Sequence, residues 1–110
     1  MTPNKPLVGP ASYLLPGYNW LDDKVAFRSV DRGLGEVALM LWKITRQMRA
    51  RQGERGLSNY EIGWMSGVRR QTVSEVLMGK GWPDTKTLGT MCLVLDLDLS
   101  TIDKPETPTV

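Results

Sequence analysis

The four residues Ser58-Asn59-Tyr60-Glu61 constrain this chain most, because they fix a helix start to within a residue. They have the S-x-x-E form of a capping box, in which Ser58 accepts from the Glu61 amide and the Glu61 carboxylate accepts from the Ser58 amide. Leu57 before the cap and Ile62 after it stand where a hydrophobic staple forms. A helix is therefore expected from Asn59. Ser66-Gly67 soon follows, and glycine takes the left-handed turn after a helix at no steric cost. Past that turn, Val68, Val73, Val76 and Leu77 recur at helical spacing, and Gly79 ends the run. Two short helices around a glycine turn describe a helix-turn-helix, the unit whose second helix enters the major groove of DNA.

What the chain lacks narrows the chemistry. Its 110 residues make one small domain with a modest core, and they include no histidine and a single cysteine, Cys92. No intrachain disulfide, zinc cluster or histidine-based triad can be built from that inventory. Asp22-Asp23 and Asp96/Asp98 read as caps and surface charge, and Cys92 as a small buried apolar residue. No catalytic residue, metal or cofactor is expected, and the chain does not read as an enzyme. The longest apolar run, Val37–Trp42, is too short to span a bilayer, and Pro6, Pro10 and Pro16 break the apolar N-terminal stretch. A cytoplasmic protein with no membrane partner is expected, nucleoid-associated when bound to DNA. Charge is uneven: residues 35–80 carry eight basic and four acidic side chains, whereas residues 81–110 carry two basic and five acidic. Such a field favours a polyanionic partner, although a basic stripe is also what an ordinary solvated face looks like.

Residues 1–33 form an extension of a different character. Pro3, Pro6, Pro10, Pro16, Gly9 and Gly17 leave no room for a long helix or strand in the first twenty residues. Tyr13, Leu14, Leu15, Tyr18 and Trp20 are nevertheless too apolar for a free tail. An irregular arm docked on the domain or on a second subunit is expected, covering Trp64 and Met65, which would otherwise be exposed. Leu21–Val30 is expected as a short helix with Val25, Ala26 and Phe27 partly buried.

The domain proper is expected over residues 34–100. Its first helix begins near Asp31 or Leu34 and runs to about Arg51, with Gly53 and Gly56 ending it. Leu34, Val37, Ala38, Leu41, Ile44, Thr45 and Met48 make its buried face. Leu39, Met40 and Trp42 lie off that stripe and call for a second covering layer, either the arm or a dimer partner. Lys43, Arg46, Arg49 and Arg51 crowd the exposed side of its second half. After Trp82-Pro83, Asp84 is an N-cap for a fourth helix, Thr85–Leu95, that buries Leu88, Met91, Cys92 and Leu95. Asp96–Ile102 is a connection or a last helical turn, and residues 101–110 are expected to be a disordered tail.

With four helices in this order, Gly67-Val68, Thr72-Val73-Ser74, Gly79-Lys80, Pro83, Thr87-Leu88 and Leu95 resemble the Cro/lambda-repressor-type helix-turn-helix family over about residues 34–100. Ile62, Val68, Val73 and Val76 stand at the family's interhelical apolar positions, and Gly63 where the two helices cross closely. The resemblance implies an all-α, four- to five-helix, lambda-repressor-like DNA-binding domain with an irregular N-terminal extension. It implies a sequence-specific regulator of transcription, a repressor of phage, plasmid or antitoxin type, reading the major groove of double-stranded DNA with a helix at about 70–78. A symmetric homodimer and a toxin or other regulatory protein are the partners it suggests. Three places depart from the pattern. Arg69 stands where a Ser or Thr usually caps the recognition helix, Glu75 where a basic or neutral residue is usual, and Trp64 and Met65 where charged residues are usual.

On that pattern the outward face of the recognition helix carries Arg69, Arg70, Gln71, Ser74 and Glu75 as base-contacting residues. Arginine donates bidentately to guanine O6/N7, and glutamine pairs with adenine N6/N7. Asn59, Thr72, Lys80 and Arg46 are the candidates for phosphate contacts, Asn59 at a helix N-terminus whose free amides also favour anions. Arg49 and Arg51 are further candidates to flank the duplex. Trp82 is read as an indole packed on the domain's edge. A second reading keeps the fold and changes the role: a protein-interaction adaptor that binds another regulator through Trp64, Met65 and the N-terminal aromatic residues.

Overall fold

The computed structural model describes residues 9–28 and 32–97. In it four α-helices follow a short 3-10 turn at Pro10–Tyr13: α1 Arg32–Arg55, α2 Asn59–Ser66, α3 Arg70–Leu77 and α4 Thr85–Val94. No strand occurs among the described residues beyond a single antiparallel bridge between Leu14 and Phe27. The described fold is all-α, with four helices in the order that the family resemblance implies. The expected disordered tail at 101–110 lies outside the described residues.

Helix α1 is the spine. It runs one turn further than Gly53 suggests, because the chain turns left-handed only at Gly56, φ 65°. Its buried line is Ala38, Leu41, Trp42, Ile44, Thr45 and Met48. Leu34 and Val37, expected inside, are 46% and 39% exposed, whereas Trp42, expected off the stripe, is 8% exposed. The N-terminal segment explains the shift. It lies along α1 and offers Trp20, whose carbonyl accepts from the Trp42 indole N–H at 3.0 Å. The Trp20 indole N–H in turn donates to Thr45 Oγ1 at 3.0 Å, and Thr45 donates to the Trp42 carbonyl at 3.3 Å. Two buried indoles and a buried threonine thus satisfy one another, and each polar atom avoids the desolvation penalty of an unmade bond.

The rest of that segment is irregular. Leu21–Val30 does not form the expected helix over its described part; Asn19 and Asp22 make side-chain turns at its start, and Phe27 packs edge-on against Trp20 at 6.2 Å. Tyr13, Leu14 and Trp20 are buried. The expected covering of Trp64 and Met65 does not occur: they remain 76% and 45% exposed, because the segment lies instead against α1 and the loop after α3. The remaining core gathers Met48 and Ile44 from α1, Ile62 from α2, Val73 and Leu77 from α3, and Met91 from α4.

Candidate nucleic-acid interface

Helix α2 starts where its local chemistry dictates. Ser58 Oγ accepts from the Glu61 amide at 3.0 Å, and the Glu61 carboxylate accepts from the Ser58 amide at 2.8 Å. Asn59, the first residue of α2, is half-buried, and its Oδ1 accepts from Gln52 Nε2 at 2.8 Å. The helix stops at Gly67, φ 74°. Gly63 faces the backbone of Val68 and Arg70 so closely that a Cβ there would overlap the Val68 carbonyl oxygen. The two motif helices therefore cross at a distance only glycine permits.

Helix α3 buries Val73, Val76 and Leu77 and turns Arg70, Gln71 and Glu75 to solvent. Ser74 and Thr72 are half-buried at the margins of that outer face. Arg69 is the N-cap in extended conformation and makes no side-chain cap bond, so the departure from the usual Ser or Thr leaves the first turn uncapped. Gln71 Nε2 donates weakly to Glu75 Oε2, 3.4 Å away, one turn along the same face. The free amides of this uncapped turn and the two arginines at its start share one end of the helix, an arrangement that favours anions.

The C-terminus of α3 is closed by several donors. Gly79 is left-handed at φ 72°, its amide donating to Val76 O at 3.2 Å and the Lys80 amide to Glu75 O at 2.9 Å. These are the two bonds of a Schellman motif. Arg49 of α1 adds a third donor, bonding the Leu77 carbonyl at 3.0 Å. Burial, and secondarily the charge of Arg46, lowers the Arg49 pKa below the ordinary arginine value. A charge at that carbonyl end opposes the helix dipole favourably. Arg49, read from the sequence as a flank for the duplex, thus holds the C-terminal end of α3. Its spacing gave no hint, because the carbonyl it meets lies 28 residues away.

The remaining candidates divide. Lys80 is exposed in the loop after α3. Arg46 stands apart from this group: it pairs with Asp23 at 3.8 Å and lies 5.3 Å over the Trp42 ring, against the N-terminal segment. Arg51 pairs with Glu54 at 3.6 Å. Trp82 packs edge-on against Tyr13 at 6.0 Å, at the domain's edge. Two grooves flank the outer face of α3. One of about 430 Å³ is lined by Tyr60, Trp64, Val68, Arg69 and Arg70; the other, about 180 Å³, lies between Thr72, Glu75, Trp82 and Asp84. Among the described residues no helix is long and apolar enough to cross a membrane, and no three His, Cys, Asp or Glu side chains gather as a metal site.

Comparison with curated proteins and with solved structures found no match. A family profile does match: helix-turn-helix, over residues 37–102, more than half of the chain. With the Gly63 crossing, the left-handed Gly67 and the four-helix order in place, this chain belongs to the Cro/lambda-repressor-type helix-turn-helix family of DNA-binding regulators.

Proposed function

We propose that this regulator is a sequence-specific repressor of phage, plasmid or antitoxin type, acting in the cytoplasm on double-stranded DNA as a symmetric homodimer. The observation that carries the reading is the outer face of α3. Arg70 and Gln71 are exposed on a helix whose opposite side, Val73, Val76 and Leu77, is locked in the core. Arg69, Arg70, Gln71, Ser74 and Glu75 face the base edges in this reading. Asn59, whose amide NH2 stays available while its oxygen is held by Gln52, binds phosphate, as do Thr72 and Lys80. Arg46 reaches phosphate only by leaving Asp23 and Trp42. The exposed Leu39 and Met40 of α1 support a dimer surface away from this face.

Selection of bound sequences from random duplex DNA tests the proposal. The expected site has two-fold symmetry, with half-sites about 34 Å apart. On that site Arg70→Ala and Gln71→Ala each cost about 1–3 kcal/mol and relax base preference locally. Lys80→Ala weakens selected and scrambled duplexes alike and makes the log–log salt dependence shallower by about one unit per subunit. Loss of the Glu75 charge raises affinity for scrambled DNA, or lowers it on the selected site if the carboxylate accepts from a cytosine amino group. One observation favours the adaptor reading instead: Trp64, at 76% exposure, stands over a groove shared with Tyr60 and Met65. If all these substitutions leave both affinities unchanged, α3 is not in the groove and the adaptor reading takes over.

A further inference from the structure

The loop Gly79–Pro83 comes directly after the recognition helix, and past the Lys80 amide none of its backbone bonds belongs to α3. Further contacts that hold it come from the N-terminal segment. The Ala11 amide donates to Gly79 O at 2.8 Å. The Trp20 ring lies against Gly79 so tightly that any Cβ there would fall inside the indole. Tyr13 meets Trp82 edge-on. Gly9 lies with its backbone against the Lys80 carbonyl, leaving no space for a Cβ. All four contacts are made by residues 9–20, outside the matched family region of 37–102. Lys80 itself is exposed, and no ion pair to it occurs among the described residues.

From this we infer that the segment Gly9–Trp20 is a clasp that positions the Lys80 loop for DNA, with Gly9 and Trp20 as positioning residues of the nucleic-acid interface. The inference rests on the DNA-binding reading above. Its physical content is preorganisation: a loop already ordered by packing loses little freedom when its lysine meets a phosphate, so less of the contact is spent on ordering. The shared domain provides the helix; the added segment fixes the loop at that helix's end.

Gly9 permits a direct test. Its backbone is extended, φ −149° and ψ 177°, which any residue adopts, so Gly9→Ala introduces no backbone strain and adds only a methyl group aimed at the Lys80 carbonyl. Gly9→Ala, Lys80→Ala and the double variant are titrated with selected and scrambled duplexes at several salt concentrations. Hydrogen exchange at residues 80–82 of the free protein is measured alongside. The expected result is that Gly9→Ala weakens both duplexes and flattens the salt dependence as Lys80→Ala does. The double variant should bind no more weakly than Lys80→Ala alone, since the two changes remove one contact. Exchange in the loop should quicken. Tyr13→Leu, which keeps an apolar side chain and loses the edge contact with Trp82, should act in the same direction and serves if Gly9→Ala fails to fold. Unchanged DNA binding by folded Gly9→Ala and Tyr13→Leu, with Lys80→Ala weakened, overturns the clasp and leaves the DNA reading intact. Fully additive losses in the double variant overturn it as well. Quickened exchange in a protein that binds no duplex at all overturns the DNA reading, and with it the clasp's role there.

Discussion

Gly63 sets how closely the two motif helices approach, because a side chain there would have to pass through the Val68 carbonyl. That obstacle is backbone, which cannot swing aside as a side chain can. Gly63→Ala is therefore expected to destabilise the domain by about 1–3 kcal/mol, the usual cost of forcing atoms into a packed interior. The gain in helix propensity from glycine to alanine, about 1 kcal/mol at most, should not reverse the sign. Urea denaturation monitored by circular dichroism reads it, and a variant as stable as the parent would show that the crossing relaxes freely. This role was legible in the sequence, since it comes from motif position. Gly79 was legible only in part. Its left-handed turn is expected from its place after Leu77, but its service as the floor for Trp20 joins residues 59 positions apart, and no local spacing carries that.

At the scale of elements, starts were more legible than ends. The caps at Ser58 and Asp84 are chemistry within four residues, and both form as expected. The end of α1 was displaced because a glycine inside a helix costs only about 1 kcal/mol, which Gly53 evidently tolerates. Which stripe of α1 is buried was decided by a partner rather than by periodicity. Leu34/Val37 and Trp42 compete for the inside, and Trp20 selects Trp42 by accepting its indole N–H. The cap at Asp84 leads to a pH prediction. Its carboxylate accepts from the Thr87 amide at 2.7 Å, and these hydrogen bonds hold its pKa below the ordinary 3.8. A depressed folded value means a stabilisation fully present above 3.8 and lost as the pH falls through the lower folded value. Thermal melts of Asp84→Asn should lose that part of the acid dependence while keeping a competent cap. An acid limb identical to the parent's would mean that the cap bond does not distinguish the two protonation states.

At the scale of the whole molecule, the family region and the N-terminal segment share one core, although only the first was recognisable as a domain from sequence. Residues 37–102 contain α2, α3, α4 and all but the first residues of α1, so the simplest expectation is that they fold alone. The packing argues otherwise. Removing residues 1–30 would strip Trp20 from Gly79 and Thr45, uncover Trp42 and leave its indole N–H without the Trp20 carbonyl. Loss of a single buried Trp or Phe commonly costs about 3–5 kcal/mol, against a total stability of roughly 5–15 kcal/mol for a domain of this kind. Tyr13 and Leu14 are lost with it. The truncated chain 31–110 is therefore expected to melt more than about 10 °C below the full chain, or to aggregate through the uncovered face of α1. Melting monitored by circular dichroism, with sedimentation to detect aggregates, reads both outcomes. If the truncated chain melts cooperatively within a few degrees of the full one and stays dispersed, the segment is an accessory resting on a self-sufficient domain. Failure of the truncated chain to bind DNA would then have to be explained at the Lys80 loop alone.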